Sequence, residues 1–136
     1  MKSVGMICEY NPFHNGHLYH LKKIKEKFPD YIVVLVLSPT FSQRGEASII
    51  NKWDKTKLSL DNGVDLVIEL PYPFACQSAY FFVEESIKIL NYLKVLKRIA
   101  FGFRSFRRFK ARIMICKELI KINRKKANAF ALASYD

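Results

Sequence analysis

A parallel α/β sheet is the architecture that the order of apolar runs and amphipathic stretches calls for. Three observations carry that expectation. Tyr31–Leu37 (YIVVLVL) is an unbroken, largely β-branched run of the kind buried on both faces of a parallel sheet. Asp65–Leu70 (DLVIEL) repeats the pattern. Between them and around them lie stretches with apolar residues at helical spacing, so strand and helix alternate along most of the chain, as right-handed crossovers require.

Each element follows from local chemistry. Ser3–Cys8 is a short run of small and branched residues, the right size for a buried first strand. Glu9–Asn15 is turn-forming, with Asn11-Pro12 and Asn15-Gly16 as breakers. From Gly16 to Phe28, Leu18, Leu21, Ile24 and Phe28 recur at helical spacing with lysines opposite, until Pro29-Asp30 ends the helix. The strand Tyr31–Leu37 comes next. Ser38–Ile50 shows no period and holds Pro39 and Gly45, so it reads as a loop. A second helix opens at Asn51-Lys52-Trp53-Asp54, is expected to turn Trp53, Leu58 and Leu60 inward, and closes at Asn62-Gly63. Asp65–Leu70 is expected as a buried strand stopped by Pro71 and Pro73, and Ser78–Leu93 as a third helix capped by Ser78. Arg98–Phe101 is apolar enough for a fourth strand, ending at Gly102. Residues 103–126 then support one basic amphipathic helix with Ile113, Ile115 or Cys116, Leu119 and Ile120 inward, and the final AFALASYD has no evident partner. There is no internal repeat and no low-complexity stretch.

Composition narrows the function classes. The 136 residues are 50% hydrophobic and 14% aromatic, too apolar for a disordered chain and enough for one domain with a core. No apolar run reaches the ~18–20 residues of a membrane helix. The start, MKSVGMICEY, is no signal peptide, so a cytoplasmic location is expected. Cys8, Cys76 and Cys116 are odd in number and far apart, which excludes a metal knuckle and a disulfide framework and makes them small core residues. Charge is unevenly placed: residues 1–96 carry 11 Lys and Arg against 10 acids, and residues 97–136 carry 12 against 2. Such a basic end suits a polyanion such as RNA, or is simply solvated.

The first turn is where chemistry is expected. Open α/β sheets bind ligands beyond the carboxyl ends of their strands, and phosphates sit at helix N-termini. EYNPFHNGHLYH holds too few glycines for a dinucleotide fingerprint and no Walker loop. It holds His14-Asn15-Gly16-His17 instead. On a first helical turn both imidazoles can donate to phosphate oxygens beside the positive end of the helix dipole, while Gly16 admits the phosphate. Such donors stabilise charge growing on an α-phosphorus and on departing pyrophosphate. The spacing of His14, His17 and His20 does not place all three on one face, so no metal is expected there.

HNGH after the first strand resembles the HxGH motif of the nucleotidyltransferase superfamily. Within it, VGMICEYNPFHNGHLYHL, QRGEASIINKW and NGVDLVIELPYPFACQSAYFF together resemble the bacterial tRNA(Met) cytidine acetate ligase family, over residues from about 3 to 102. The resemblance implies a Rossmann-like parallel sheet of the HxGH nucleotidyltransferase type, incomplete, with a basic helical C-terminal tail. It also implies a two-step ligase. Acetate attacks ATP, with Mg2+, to give acetyl-adenylate and pyrophosphate; the acetyl group then passes to N4 of the wobble cytidine of elongator tRNA(Met).

Carried over residue by residue, the ATP-binding segment falls on Ile7, Cys8, Glu9, Tyr10, Asn11, Pro12 and Phe13, then on His14, Asn15, Gly16, His17, Leu18, Tyr19 and His20. Gly102 matches a nucleotide-contacting glycine after the fourth strand. His14 and His17 would hold the phosphates. Arg44 would neutralise acetate or pyrophosphate, or else pin its loop through Glu46 or Asp54. Gln43 would orient a substrate or cap backbone, Glu9 would bond ribose or shape the loop, and Trp53 and Lys52 read as helix packing and surface charge. Members of the family are several times longer than the matched region, and after IAFG this chain reads FRSFRRF where they continue with serine-glutamate. Residues 1–102 are therefore expected to be the N-terminal part of the nucleotide-binding domain and 103–136 a divergent basic tail. Such a chain is a truncated copy, or a short form whose tail replaces a tRNA-binding domain. Losing one transition-state phosphate donor costs ~10²–10³ in rate, which bears on ligation by this polypeptide alone. A small cofactor adenylyltransferase, or a non-catalytic nucleotide- or RNA-binding remnant, are the alternatives.

Overall fold

In the computed structural model, residues 2–93, 96–103 and 128–133 are described. They form a five-stranded, all-parallel sheet in the order β3-β2-β1-β4-β5. The elements are β1 (Ser3–Cys8), α1 (Asn15–Lys27), β2 (Ile32–Leu37), α2 (Lys52–Asp61), β3 (Leu66–Glu69), α3 (Tyr72–Ala75), α4 (Ala79–Tyr92), β4 (Leu96–Phe103) and β5 (Asn128–Ala133). The chain winds outward from β1 to β3 and then returns to place β4 on the other side of β1. The winding direction reverses between β1 and β4, and a switch point of this kind opens a crevice at the carboxyl ends of the strands.

Period-two alternation on β2 divides the interior into two layers. Val34 and Val36 face Leu70, Phe82, Val83, Ile87 and Leu90 from the α4 side. Val33, Leu35 and Leu37 face Leu21, Ile24, Phe28 and Val64 from the α1 side, together with Val4, Met6 and Tyr10. Both faces of the central strands are covered, which explains why YIVVLVL shows no polar alternation.

Several expectations are corrected by the packing. On α2, Trp53 is 73% exposed and Leu58 and Leu60 face outward, while Lys55 and Ser59 are buried. This helix is inverted: its polar stripe points in, Lys55 bonding the segments beneath it and Ser59 the Lys55 carbonyl. β3 is the sheet edge, with Leu66 exposed, and not a strand buried on both faces. Ser78 stands at the N-cap position of α4 without a side-chain capping bond, and a short helix, α3, occupies the Pro71-Pro73 segment that reads as a simple stop. β4 runs on through Phe103, so Gly102 lies inside it. The last residues do have a partner, since Asn128–Ala133 pairs in parallel with Arg98–Phe103. Cys8 and Cys76 are only half-buried; the expected basic helix and Cys116 lie outside the described residues. Among the described residues no helix is long and apolar enough to cross a membrane.

The inversion of α2 has a direct test by urea denaturation. Ile24→Ala, which empties a fully buried position, is expected to cost about 2–5 kcal/mol. Trp53→Gln is expected to stay within about 0.5 kcal/mol of wild type. A large loss for Trp53→Gln would mean that the tryptophan packs inward.

Candidate functional site: the turn between the first strand and the first helix

The turn leaving β1 is built around Tyr10. Its φ of +47° lies in the left-handed region, which costs a non-glycine residue roughly 1–2 kcal/mol. The conformation is held because the Tyr10 ring is buried and contacts both Phe13, at 4.9 Å between centroids, and His17, at 4.6 Å. The Cys8 thiol sits beside the Tyr10 hydroxyl, and burial pushes it up to about 12, so it stays protonated at neutral pH.

Two imidazoles finish the N-terminus of α1. His14 is the N-cap, and its Nδ1 accepts from the Gly16 amide at 3.0 Å. His17 reaches back, and its Nδ1 accepts from the His14 amide at 3.3 Å. The arrangement has the logic of a capping box, with histidines in the places usually taken by Ser or Thr and Glu. The rings stack at 3.8 Å between centroids with 26° between their planes. Because each Nδ1 accepts, the proton of the neutral ring is on Nε2. Both residues therefore carry an Nε2–H donor, with the His14 side chain exposed and that of His17 half-buried.

Gly16 is explained by the same geometry. A Cβ there would meet His14 Cε1 at 2.9 Å and Nδ1 at 3.1 Å. The glycine gives room to the imidazole that caps its own amide. No acidic residue occupies the first turn of α1, so the positive end of the helix dipole is left without a carboxylate from its own sequence.

The loop after β2 is tied to this turn by its main-chain amides, which donate to side-chain oxygens of the turn. Glu9 Oε1 accepts from the Gln43 amide at 2.7 Å, and Asn11 Oδ1 from the Ile49 amide at 2.7 Å. Glu9 thus shapes the loop, one of the two roles expected for it. Arg44 lies exposed near the tip, and pairs with neither Glu46 nor Asp54 among the described residues. The Gln43 side-chain nitrogen is enclosed without a partner. Lys52 is bonded to Glu69 at 2.9 Å and lies over the Trp53 ring.

Of the remaining residues expected in the segment, Ile7 and Cys8 are half-buried at the end of β1. Asn15 and Tyr19 are exposed on α1, Pro12 is exposed in the turn, and Leu18 is half-buried. Gly102 stands on β4 two residues past Ala100, the partner of Met6, and so toward the same end of the sheet. His20 is different. It is 5% exposed, its Nε2 has no partner, and desolvation lowers it to about 4. His20 is a neutral core group, whose ring is enclosed rather than turned to the turn's open side. Among the described residues no group of three or more His, Cys, Asp or Glu is placed to hold a metal ion.

Sequence reasoning missed Lys55, Ser48 and Asn11 as the residues that fix the loop. The available signal was the polar pair Lys55 and Ser59, four apart on α2, on the face that turns inward.

Comparison with known proteins places this geometry. The model of the HIGH Nucleotidyl Transferase family matches residues 1–132. A tRNA(Met) cytidine acetate ligase of Caldicellulosiruptor saccharolyticus is 58% identical over 95 residues, 70% of this chain and 24% of that protein. The crystal structure of Thermotoga maritima TmcAL bound with alpha-thio ATP superposes with a TM-score of 0.72 at 42% identity, covering 75% of this chain and 25% of that one. A lipopolysaccharide core biosynthesis protein of Thermoplasma volcanium, 18% identical with a TM-score of 0.66 over 100% of this chain, shares the fold alone. The chain spans about a quarter of the length of the curated relatives it matches.

His20 makes the fold acid-sensitive in a defined window. Its folded value of about 4 lies below the ordinary 6.5. As pH falls, the unfolded chain is protonated first, so the stability is complete above about 6.5 and is lost as pH falls toward 4. Between pH 7 and pH 5 this one residue is expected to cost about 2 kcal/mol. Urea titrations at the two pH values should show His20→Leu losing less stability than wild type by that amount.

Proposed function

The chain belongs to the HIGH nucleotidyl transferase family, and from that premise we propose that it binds ATP at the β1–α1 turn and forms the nucleotide-binding part of an ATP-dependent tRNA(Met) cytidine acetate ligase. One observation carries the reading: the histidine cap, which gathers two imidazoles at a helix N-terminus that has no carboxylate in its first turn, at the carboxyl end of the sheet. The relatives named as tRNA(Met) cytidine acetate ligases and the ATP-analogue complex of TmcAL support the choice of substrate.

In this mechanism His14 and His17 donate to the phosphate oxygens of ATP, and the α1 dipole adds to the same field. An acetate oxygen attacks the α-phosphorus, the bond to the bridging oxygen breaks, and pyrophosphate leaves with the electron pair. Acetyl-adenylate results. The N4 amine of the wobble cytidine then attacks the acetyl carbonyl, loses a proton and expels AMP. Charge accumulates on the phosphate oxygens in the first step, and pre-oriented donors stabilise it without reorganising. Arg44, exposed and without a carboxylate partner among the described residues, neutralises the departing pyrophosphate or the incoming acetate. Any Mg2+ enters with the nucleotide. These assignments, with a cytoplasmic site of action and tRNA as partner, are those of the whole family enzyme.

Titration calorimetry with ATP tests the reading directly. Wild type should bind, and His17→Ala should weaken binding by about tenfold or more, the worth of one charge-assisted hydrogen bond. Unchanged affinity in His17→Ala would remove that residue from the site. Incubation with ATP, labelled acetate and tRNA then separates acetate-dependent pyrophosphate release from transfer to tRNA, and absence of both would sink the ligase assignment for this chain.

A further inference from the structure

The side chain of Lys55 enters the protein from α2 and is 0% exposed. Its Nζ donates to the carbonyl of Ser38 at 2.7 Å, to Ser48 Oγ at 2.9 Å and to the carbonyl of Glu9 at 3.1 Å. These acceptors belong to three segments: the exit of β2, the returning arm of the loop, and the exit of β1. All three protons of an ammonium are used, and among the described residues no carboxylate comes within ion-pair distance. Desolvation lowers the lysine from its ordinary value, with Glu9 opposing. A leucine or methionine would satisfy a merely apolar slot here at far less cost, so the buried amine needs a reason.

The loop it holds is a small closed structure. Phe41 bridges Ala47, Ser42 N donates to Glu46 O at 2.8 Å, and Gly45, with φ +80°, donates to Ser42 O at 2.9 Å. Arg44 sits within that turn, and its amide donates to Ser42 Oγ at 3.2 Å. The turn's base is fastened to Lys55 on both arms, through Ser38 and Ser48, and its middle to Glu9 through Gln43. Glu9 is itself held by Lys55 through its carbonyl.

We infer that Lys55 is a positioning residue, which fixes the Ser38–Ser48 turn against the exit of β1 and so holds the backbone that carries Arg44 beside the proposed anion site; this rests on the ATP reading above. Lys55 touches no substrate. It acts by removing backbone freedom that the turn carrying Arg44 would otherwise lose on binding a phosphate.

A double-mutant cycle on ATP affinity, read with trypsin cleavage after Arg44, tests this. Lys55→Met should raise the Kd for ATP about tenfold, and Arg44→Ala by a similar factor. The double variant should be no weaker than about the worse single, because one acts through the other. Cleavage after Arg44 should quicken in Lys55→Met while cleavage elsewhere in the chain stays at its wild-type rate. Should Lys55→Met fail to fold, Ser48→Ala, which removes one acceptor on the loop, should shift both readouts in the same direction by a smaller factor. Additive Kd effects, or wild-type cleavage after Arg44 in folded Lys55→Met or Ser48→Ala, would overturn the inference. A wild type that binds no ATP, with Arg44 cleavage still quickened by Lys55→Met, would sink the nucleotide reading and leave the tether standing.

Discussion

The N-terminus of α1 has to be completed by something, since the first amides of any helix lack partners within it. Here His14 and His17 complete it for each other through their Nδ1 atoms. Asp or Glu in those positions would satisfy the same amides and would also neutralise the helix dipole. Imidazoles satisfy the amides and keep the field positive. They also turn their remaining ring nitrogen into a donor of fixed identity. Capping, ring stacking and the close fit of Gly16 against His14 are thus one constraint, and the proposed anion site is its by-product.

That constraint would be of little use on a mobile turn. Tyr10 gives it a floor: a residue in the left-handed region, with its ring buried beneath His17 and beside Phe13. Lys55 gives it a wall, since Glu9, immediately before Tyr10, is bonded to both the lysine and the loop after β2. The cost of burying an amine and of a strained tyrosine falls at the end of the sheet where strand order reverses. Strain and buried polarity gather where geometry must be exact to a fraction of an ångström, and the apolar layers on either side of β2 supply the stability that supports them.

Much of this is legible in the sequence. Ser3–Cys8 occupies the bounds its composition suggests, because small and branched residues leave few alternatives to a buried strand. α2 does open at Asn51-Lys52, with Asn51 as its cap, and Asn62-Gly63 does end it, because those residues act through their own backbone neighbours. What depended on tertiary context was misread. Helical spacing identified α2 but gave the wrong inward face, since Lys55 and Ser59 outbid Trp53 by what they bond to and not by hydrophobicity. The edge position of β3 is set by strand order, which an apolar hexapeptide does not encode. The pairing of Asn128–Ala133 with β4 is likewise a long-range contact with no local signature. In the turn itself, HNGH announced two donors; that they cap one another, and that His20 is withdrawn into the core, required the fold.

The open flank of the sheet brings its own safeguard. β3 is four residues long, and the exposed carboxylates of Asp65 and Glu69 bracket it. A second molecule laying a strand along that flank would gain few main-chain bonds and would meet charged side chains at both ends of the strand. Asp65 also spends one oxygen on the Val33 amide at 2.7 Å, which keeps the flank stitched to its neighbour at the point where fraying would begin. Resistance to strand-by-strand aggregation is thereby written into the same short segment that closes the sheet.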